Sequence, residues 1–470
     1  MSIDVKFFNH LKHLSSTRKN IVVFDVMTGS LLELDEISAA ILEEAIVFGT
    51  FSDEALASAR RLLLYKGFSS EVISKGRDIV DELRSRGLFS ECCKSFNPRS
   101  LPEAPRLSSL TLNVSQTCQL NCAYCFASGG DYNNPLLSPL MSKDIGRKAI
   151  DFFFQMADHD SEEYRVFFFG GEPLLNWDTI VDLTSYIEAK AREVDKRIAF
   201  ALTTNAVGLN EDMAQFIKKH RISVLVSIDG DECLHNELRP HKKSTVNSYN
   251  ETVKSIAVLK QYCGKVCGRS TITSLCYDVP QLQRYLLEAG CDASMHGVVS
   301  CELGNKLGLS DAAFREVTHQ FSTLLFQKRT LPEIQMLETV KARLDGGYMS
   351  LWSCSFSHAL SVDSTGEIYA CHRLSSNEEF HLGSIHKGVN EQKLVSLRNS
   401  VIAELMTGCR SCWARYLCAA ACPADNYLLQ GSVSYASSFN CYLYLKLYES
   451  AIEAKLLELR EADDIADVDN

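Results

Sequence analysis

The chain has 470 residues, 46% of them apolar, which is enough for substantial cores and for two to four domains. Its net charge is −11 and its pI about 5.6, without the basic stripe that a nucleic-acid binder shows. The opening MSIDVKFFNHLKHLSS lacks the apolar core of a secretory signal. No apolar run is long enough to span a membrane, and ISAAILEEAIVF is broken by Glu43 and Glu44.

Residues 19–35 read as a hairpin, two β-rich runs flanking Thr28-Gly29. Asp35 caps a helix, EISAAILEEAIVF, with Ile37, Ile41 and Ala45 on one face. Ser52 or Asp53 starts a second helix, and Ser69 or Ser70 a third ending in LRSRGLF. This pattern over 1–95 predicts a winged-helix-like module. A DNA-binding role is the plain alternative, and the lack of basic surplus argues against it. Residues 96–107, within a stretch holding three prolines, read as a linker. Strands then alternate with helices. SLTLNVS, EYRVFFFGGEP, RIAFALTTNA, SVLVSIDG and GRSTITS are the strands. DIGRKAIDFFFQMA, WDTIVDLTSYIEAKARE, NEDMAQFIKKH and YNETVKSIAVLKQY are helices between them. Such alternation predicts an α/β fold with a parallel sheet, and motifs gathered at strand C-terminal ends suit a barrel, over 108–301. Residues 302–345 read as a helical bridge, 346–450 as a cysteine-rich domain, and 451–470 as a helix end fading into a disordered acidic tail.

The chemistry is concentrated in cysteines. Cys118, Cys122 and Cys125 form CxxxCxxC within VSQTCQLNCAYCF. Three thiolates on a [4Fe–4S] cube leave one iron open to a ligand that reacts. Zinc usually takes four ligands in CxxC pairs, and unrelated buried cysteines are the other plain reading. Gly170-Gly171-Glu172-Pro173 follows about 45 residues later at a strand end, where two glycines allow close backbone approach. Ser227-Ile228-Asp229-Gly230 ends a further strand, and Arg239 lies twelve residues after Ser227. The motifs together resemble the radical SAM enzymes, whose fold is a partial (β/α)6 barrel. In that family the open iron chelates S-adenosylmethionine (SAM), and reductive cleavage makes a 5′-deoxyadenosyl radical that abstracts hydrogen from substrate. The resemblance implies that Tyr124 lies against adenine. It also implies that Gly170, Gly171 and Glu172 hold the methionine amino group, and that Ser227, Asp229 and Arg239 belong to the SAM site. Arg239 suits the SAM carboxylate, and Asn205 is a further candidate.

Towards the C-terminus, Cys409, Cys412, Cys418 and Cys422 are spaced CxxCx5Cx3C, followed by Cys441. Upstream, Cys354 precedes Gly366-x4-Cys371. This pattern resembles a SPASM domain with two auxiliary [4Fe–4S] clusters, making three clusters in all. The resemblance assigns auxiliary cluster II to Cys409, Cys412, Cys418 and Cys441, and auxiliary cluster I to Cys354, Cys371 and Cys422. No cysteine stands between Cys354 and Cys371, so the first auxiliary cluster is expected to have an open iron for a substrate thiolate. His358, His372 or a distant cysteine is the alternative ligand. The clusters take ten of 18 cysteines, and dense metal-type spacing without a signal peptide points to a reducing, cytoplasmic compartment. Sulfatase-maturing SPASM enzymes carry an aspartate base after the second SPASM cysteine. Here that position is His372, a candidate catalytic base, and formylglycine synthesis is disfavoured.

The resemblance implies a maturase of ribosomally made peptides or small protein subunits. The N-terminal module resembles leader-peptide recognition elements, which take a peptide by strand addition. The leading expectation is thioether cross-linking, as in ranthipeptide and sactipeptide maturases and the enzyme maturing quinohemoprotein amine dehydrogenase. A flavodoxin- or ferredoxin-type donor supplies electrons. Carbon–carbon cross-linking or another peptide oxidation is the second expectation. A non-catalytic iron–sulfur redox regulator is the third, separable because it makes no 5′-deoxyadenosine.

Overall fold

A computed structural model describes residues 5–8, 21–89, 107–298, 306–326, 333–345, 350–352 and 355–468. Strands β1 (Val5–Phe8), β2 (Ile21–Asp25) and β3 (Ser30–Leu34) form a small antiparallel sheet in that order. The β2–β3 turn is organised by Asp25, whose carboxylate accepts from Met27 N at 2.9 Å and, across the module, from Phe89 N at 2.8 Å. Three helices follow: α1 (Glu36–Phe48), α2 (Asp53–Tyr65) and α3 (Ser70–Ser85). Asp35, Ser52 and Ser69 cap them, each accepting first-turn backbone N–H groups, as their residue types dictate. The linker expected over 96–107 lies outside the described residues except for Leu107.

The central unit alternates strand and helix: β4 (Ser109–Ser115), α4 (Lys143–Met156), β5 (Glu163–Gly170), α5 (Trp177–Glu193), β6 (Arg197–Thr204) and α6 (Glu211–Lys219). It continues through β7 (Ser223–Ser227), α7 (Glu232–Leu238), α8 (Ser248–Cys263), β8 (Cys267–Ile272), α9 (Val279–Glu288) and β9 (Ala293–Val298). The six strands β4 to β9 are parallel and adjacent in chain order. Leu110, Leu112, Val166, Phe168 and Leu202 point from the strands into a core closed by Ile150, Phe153, Ile180 and Leu183 of α4 and α5. The last of these strands, ASMHGV, is absent from the sequence reading because His296 and Gly297 interrupt its apolar run.

The sheet also extends further than expected. Helix α10 (Asp311–Leu324) leads to β10 (Glu333–Ile334), which adds parallel to β9, and then to α11 (Gln335–Asp345). At the other edge, β11 (Ala359–Val362) pairs parallel with β4. Strands β12 (Glu367–Tyr369), β13 (His381–Ser384) and β14 (Gly388–Val389) continue antiparallel from it. The cysteine-rich segment is therefore built onto the barrel sheet, giving an α/β fold with one central mixed sheet of eleven strands among the described residues. Helices α12 (Glu391–Ser400), α13 (Arg415–Cys418), α14 (Pro423–Gln430) and α15 (Ser438–Val468) complete the described residues. Helix α15 runs through the acidic stretch to Val468, so the disordered tail expected from its composition is instead helical. The small N-terminal sheet rests on the cysteine-rich segment, with Phe24 of β2 packed edge-on against Trp413 at 5.9 Å. Among the described residues no helix is long and apolar enough to cross a membrane.

Candidate active site

The loop after β4 carries Cys118, Cys122 and Cys125, and each sulfur accepts a hydrogen bond from nitrogen. Leu120 N and Asn205 Nδ2 donate to Cys118 Sγ at 3.4 and 3.6 Å, Gly129 N to Cys125 Sγ at 3.2 Å, and Arg239 Nη1 to Cys122 Sγ at 4.0 Å. N–H donors aimed at sulfur suit thiolates and cluster ligands. Burial, helped by the Glu172 charge, pushes the Cys118 thiol up to about 12, and burial pushes Cys122 to about 11 against the pull of Arg239.

The glycine pair has a different reason from the one its motif suggests. A Cβ on Gly170 would lie 2.0 Å from Ser115 O, and Gly170 has φ +134°. A Cβ on Gly171 would lie 2.4 Å from Thr117 O and 2.6 Å from Gly129 O. The glycines are needed first so that the end of β5 can press against the cysteine loop. Gly171 N and Glu172 N then donate to Ser115 O and Thr117 O at 2.7 and 2.9 Å, locking the two together.

Glu172 is buried, and three of its four acceptor positions are filled. Oε1 accepts from Thr204 Oγ1 at 2.6 Å and Leu174 N at 3.0 Å, and Oε2 accepts from Asn205 N at 2.7 Å. Burial raises its pKa from 4.5 to about 7 despite those bonds. Asn205 turns its side chain to the loop, accepting from Gln119 Nε2 at 3.1 Å. Asp229 is fully buried and stands behind the cleft wall. Its Oδ2 accepts from the Tyr124 hydroxyl and from Arg239 Nε at 2.7 Å, and its Oδ1 from Thr271 N at 2.7 Å. It is a positioning residue for Tyr124 and Arg239, both of which do line the cleft. Arg239 is only 7% exposed, so it is no surface ion pair, and its guanidinium stands over the Tyr124 ring at 5.3 Å.

These groups surround one open cleft at the C-terminal ends of the parallel strands. Ser227 lies on its wall. So do two arginines that the motifs did not reveal, Arg269 of β8 and Arg373 beyond β12. The available signal was a lone charge in CGRSTI and an arginine two residues after Cys371. Burial pulls the Arg269 pKa down, with Arg239 and Arg373 adding to the fall, so three cations converge here.

His372 stands beside the cleft, its ring 4.4 Å from that of Phe169, a wall residue. Burial, then Arg373 and Arg269, push its pKa down to about 3.

The C-terminal thiols form two groups. Burial, and after it the charges of neighbouring thiols in the Cys409, Cys412, Cys418 and Cys441 group, raise Cys409 and Cys418 to about 12 and raise Cys441 as well. Cys371 and Cys422 both interact with Arg373, which donates to Cys422 Sγ at 3.5 Å and pairs with Asp425 at 2.7 Å. Tyr132 donates to His372 O at 2.6 Å and feels the charge of both Cys371 and Cys125, so the Cys371–Cys422 group adjoins the cysteine loop. Cys354 lies outside the described residues. Cys418 and Cys422 are parted by Ala419, Ala420 and Ala421 at φ 52°, 67° and 60°. This left-handed run costs about 1–2 kcal/mol per residue and breaks a sequence that local propensity would make helical. Among the described residues no three metal-ligating side chains sit at single-ion spacing. A cubane spreads its ligand sulfurs more widely than one ion does.

Residues 112–275 match the Radical SAM superfamily. The chain is 23% identical over 236 residues to the radical SAM cyclopropyl synthase TigE of Paramaledivibacter caminithermalis, covering 46% of this chain and 48% of that one. It spans about half the length of the first curated relatives it matches. Among solved structures it resembles native anSMEcpe with bound AdoMet and Kp18Cys peptide, at TM-score 0.62 and 18% identity over 76% of this chain and 100% of that one. It also resembles Streptococcus suis SuiB bound to precursor peptide SuiA, at TM-score 0.50 and 16% identity over 93% of this chain and 99% of that one.

Proposed function

We propose that this chain, which carries a radical SAM domain over residues 112–275, is a maturase that installs thioether cross-links, cysteine sulfur to carbon, in a ribosomally made peptide or small protein subunit. The site residues fit SAM and a [4Fe–4S] cluster. Three N–H-solvated cysteine sulfurs supply the ligands, and the free acceptor position on Glu172 suits an ammonium group. Arg239 and Arg269 suit a carboxylate, with Ser227 and the Tyr124 ring completing the pocket. When bound, the two cofactors supply a 5′-deoxyadenosyl radical able to take hydrogen from a nearby carbon. The chain's own residues do the rest. Glu172 and the arginines orient the cofactor, and Asp229 holds Arg239 and Tyr124 in place.

The observation that carries the thioether reading is the Cys371–Cys422 group. It is tied through Arg373 to the cleft wall and through Tyr132 to the loop of Cys125. We assign it, with Cys354, to auxiliary cluster I of a SPASM domain. Cys409, Cys412, Cys418 and Cys441 are assigned to auxiliary cluster II. A substrate thiolate held at the first group would sit next to the carbon being activated. The N-terminal module is assigned to leader-peptide docking, consistent with a small sheet whose β3 edge pairs with no described strand. The test uses iron-reconstituted protein, SAM, a reductant and a cysteine-containing precursor peptide. The product should lose two hydrogens per cross-link, and its cysteine should resist alkylation. Carbon–carbon bond formation is the second reading, supported by the likeness to TigE. It would give the same mass loss with the thiol still open to alkylation.

A further inference from the structure

The C-terminal end of β9 serves two cavities. Gly297 and Val298 line the cleft described above, and with His296 they also line a second cavity with about 760 Å³ of open space. This second cavity is framed by α10, α14 and α15. Phe314 and Phe321 of α10 and Leu443 of α15 make its walls apolar. The two cavities meet at an ion pair, because Arg373 lines the first, Asp425 the second, and the two are 2.7 Å apart.

Two polar atoms in this apolar chamber have no partner. His296 is 7% exposed, and its Nδ1 shares a hydrogen with Ser270 Oγ at 2.6 Å, while its Nε2 is buried and unpaired. Asn440 Nδ2 is likewise buried and unpaired. Buried polar groups are normally satisfied, and both of these belong to residues lining the same cavity, so a ligand with a matching polar tip seated there would supply their partner. Burial keeps His296 neutral, with its pKa pushed down to about 4. The Ser270 contact permits either tautomer, so Nε2 can donate or accept.

We propose that this second cavity seats a tyrosine side chain of the substrate peptide, its hydroxyl bonding to His296 Nε2 and Asn440 Nδ2 and its ring against Phe314 and Phe321. The proposal rests on the peptide-maturase reading and adds a specificity determinant to it. Tyrosine joins an apolar ring to a group that donates and accepts at once. Phenylalanine or leucine would leave both polar atoms unpaired. Serine or threonine would not cover the aromatic walls. Tryptophan and lysine offer only donors, which Asn440 Nδ2 cannot use. A carboxylate would bring a second negative charge beside Asp425 and a neutral imidazole. Because Gly297 and Val298 belong to both cavities, a residue anchored here would present its backbone and neighbours to the cleft.

The test is a competition titration on the iron-reconstituted full chain with SAM, followed by ligand-observed NMR, using N-acetyl-tyrosinamide and N-acetyl-phenylalaninamide. The tyrosine compound should bind about tenfold more tightly or better, as sites built to hydrogen-bond a hydroxyl reject its absence. His296→Phe and Asn440→Leu should each bring the two ligands close to equal affinity. Equal affinity in the parent protein, no binding of either ligand, or a preference that survives in both variants overturns the proposal. Formation of 5′-deoxyadenosine in the same preparation reports separately on the radical SAM reading. Its presence with no tyrosine preference rejects the pocket alone. Its absence rejects the enzyme reading and leaves the binding result to be judged by itself.

Discussion

Replacing Asp229 by asparagine keeps the shape of a fully buried side chain and removes its charge. In the parent, Oδ2 takes the Tyr124 hydroxyl and Arg239 Nε, while Oδ1 takes Thr271 N. An amide nitrogen must point one way or the other. One orientation sets N–H against the Thr271 N–H, and the other sets it against the Arg239 Nε–H. Arg239, 7% exposed, would then lack its anion. Removing one partner of a buried ion pair costs about 3–5 kcal/mol, a large share of a typical domain's stability. The loss should also reach the cofactor site, because Arg239 touches Cys122 Sγ at 4.0 Å and covers Tyr124. A misplacement worth only about 1.4 kcal/mol already weakens binding tenfold. We therefore expect Asp229→Asn to lower the urea midpoint and to bind SAM at least about tenfold more weakly in equilibrium dialysis. The double variant Asp229→Leu with Arg239→Met, which removes both charges, should recover much of the stability but not the SAM affinity. An asparagine variant within about 0.5 kcal/mol of the parent, or a double variant with parental SAM affinity, would refute this reasoning.

Other predictions follow from the same geometry. Cys118→Ala, Cys122→Ala and Cys125→Ala should each abolish reductive SAM cleavage, and parental 5′-deoxyadenosine yields in a folded variant would remove these residues from the ligand set. Gly171→Ala should be as damaging as a cysteine change, because its Cβ meets two backbone carbonyls at 2.4 and 2.6 Å that cannot turn aside. Iron content after reconstitution is the readout, and parental loading would show that the loop has slack. Glu172 holds a proton more tightly in the folded cofactor-free protein than in the unfolded chain, about 7 against 4.5. Its contribution to stability is therefore complete below 4.5 and is lost as pH rises through 7. An ammonium ligand needs the ionised form, so SAM affinity should fall as pH drops below about 7. Glu172→Gln should lower the affinity and flatten that dependence, and a profile unchanged in the variant would assign the titration elsewhere.

Much of this molecule was legible in one dimension. The caps Asp35, Ser52 and Ser69 are local chemistry, since one side chain meets N–H groups two or three residues away. The cysteine loop, the GGEP turn and the Ser227–Arg239 spacing were readable because each motif is a continuous piece of chain at a strand end. What sequence could not supply was convergence. Arg269 and Arg373 lie about a hundred residues apart along the chain, and only the curvature of the sheet brings both to one cleft. Whether Asp229 faces a ligand or stands behind Arg239, and whether Gly171 meets a cofactor or Thr117 O, depends on packing between segments distant in sequence. The pairing of β11 with β4 joins residues about 250 positions apart and makes the cysteine-rich region part of the barrel sheet. Ala419, Ala420 and Ala421 show the limit most sharply. Local propensity makes three alanines a helix, and it is overruled because Cys418 and Cys422 must face different neighbours, an arrangement that tertiary contacts alone can impose.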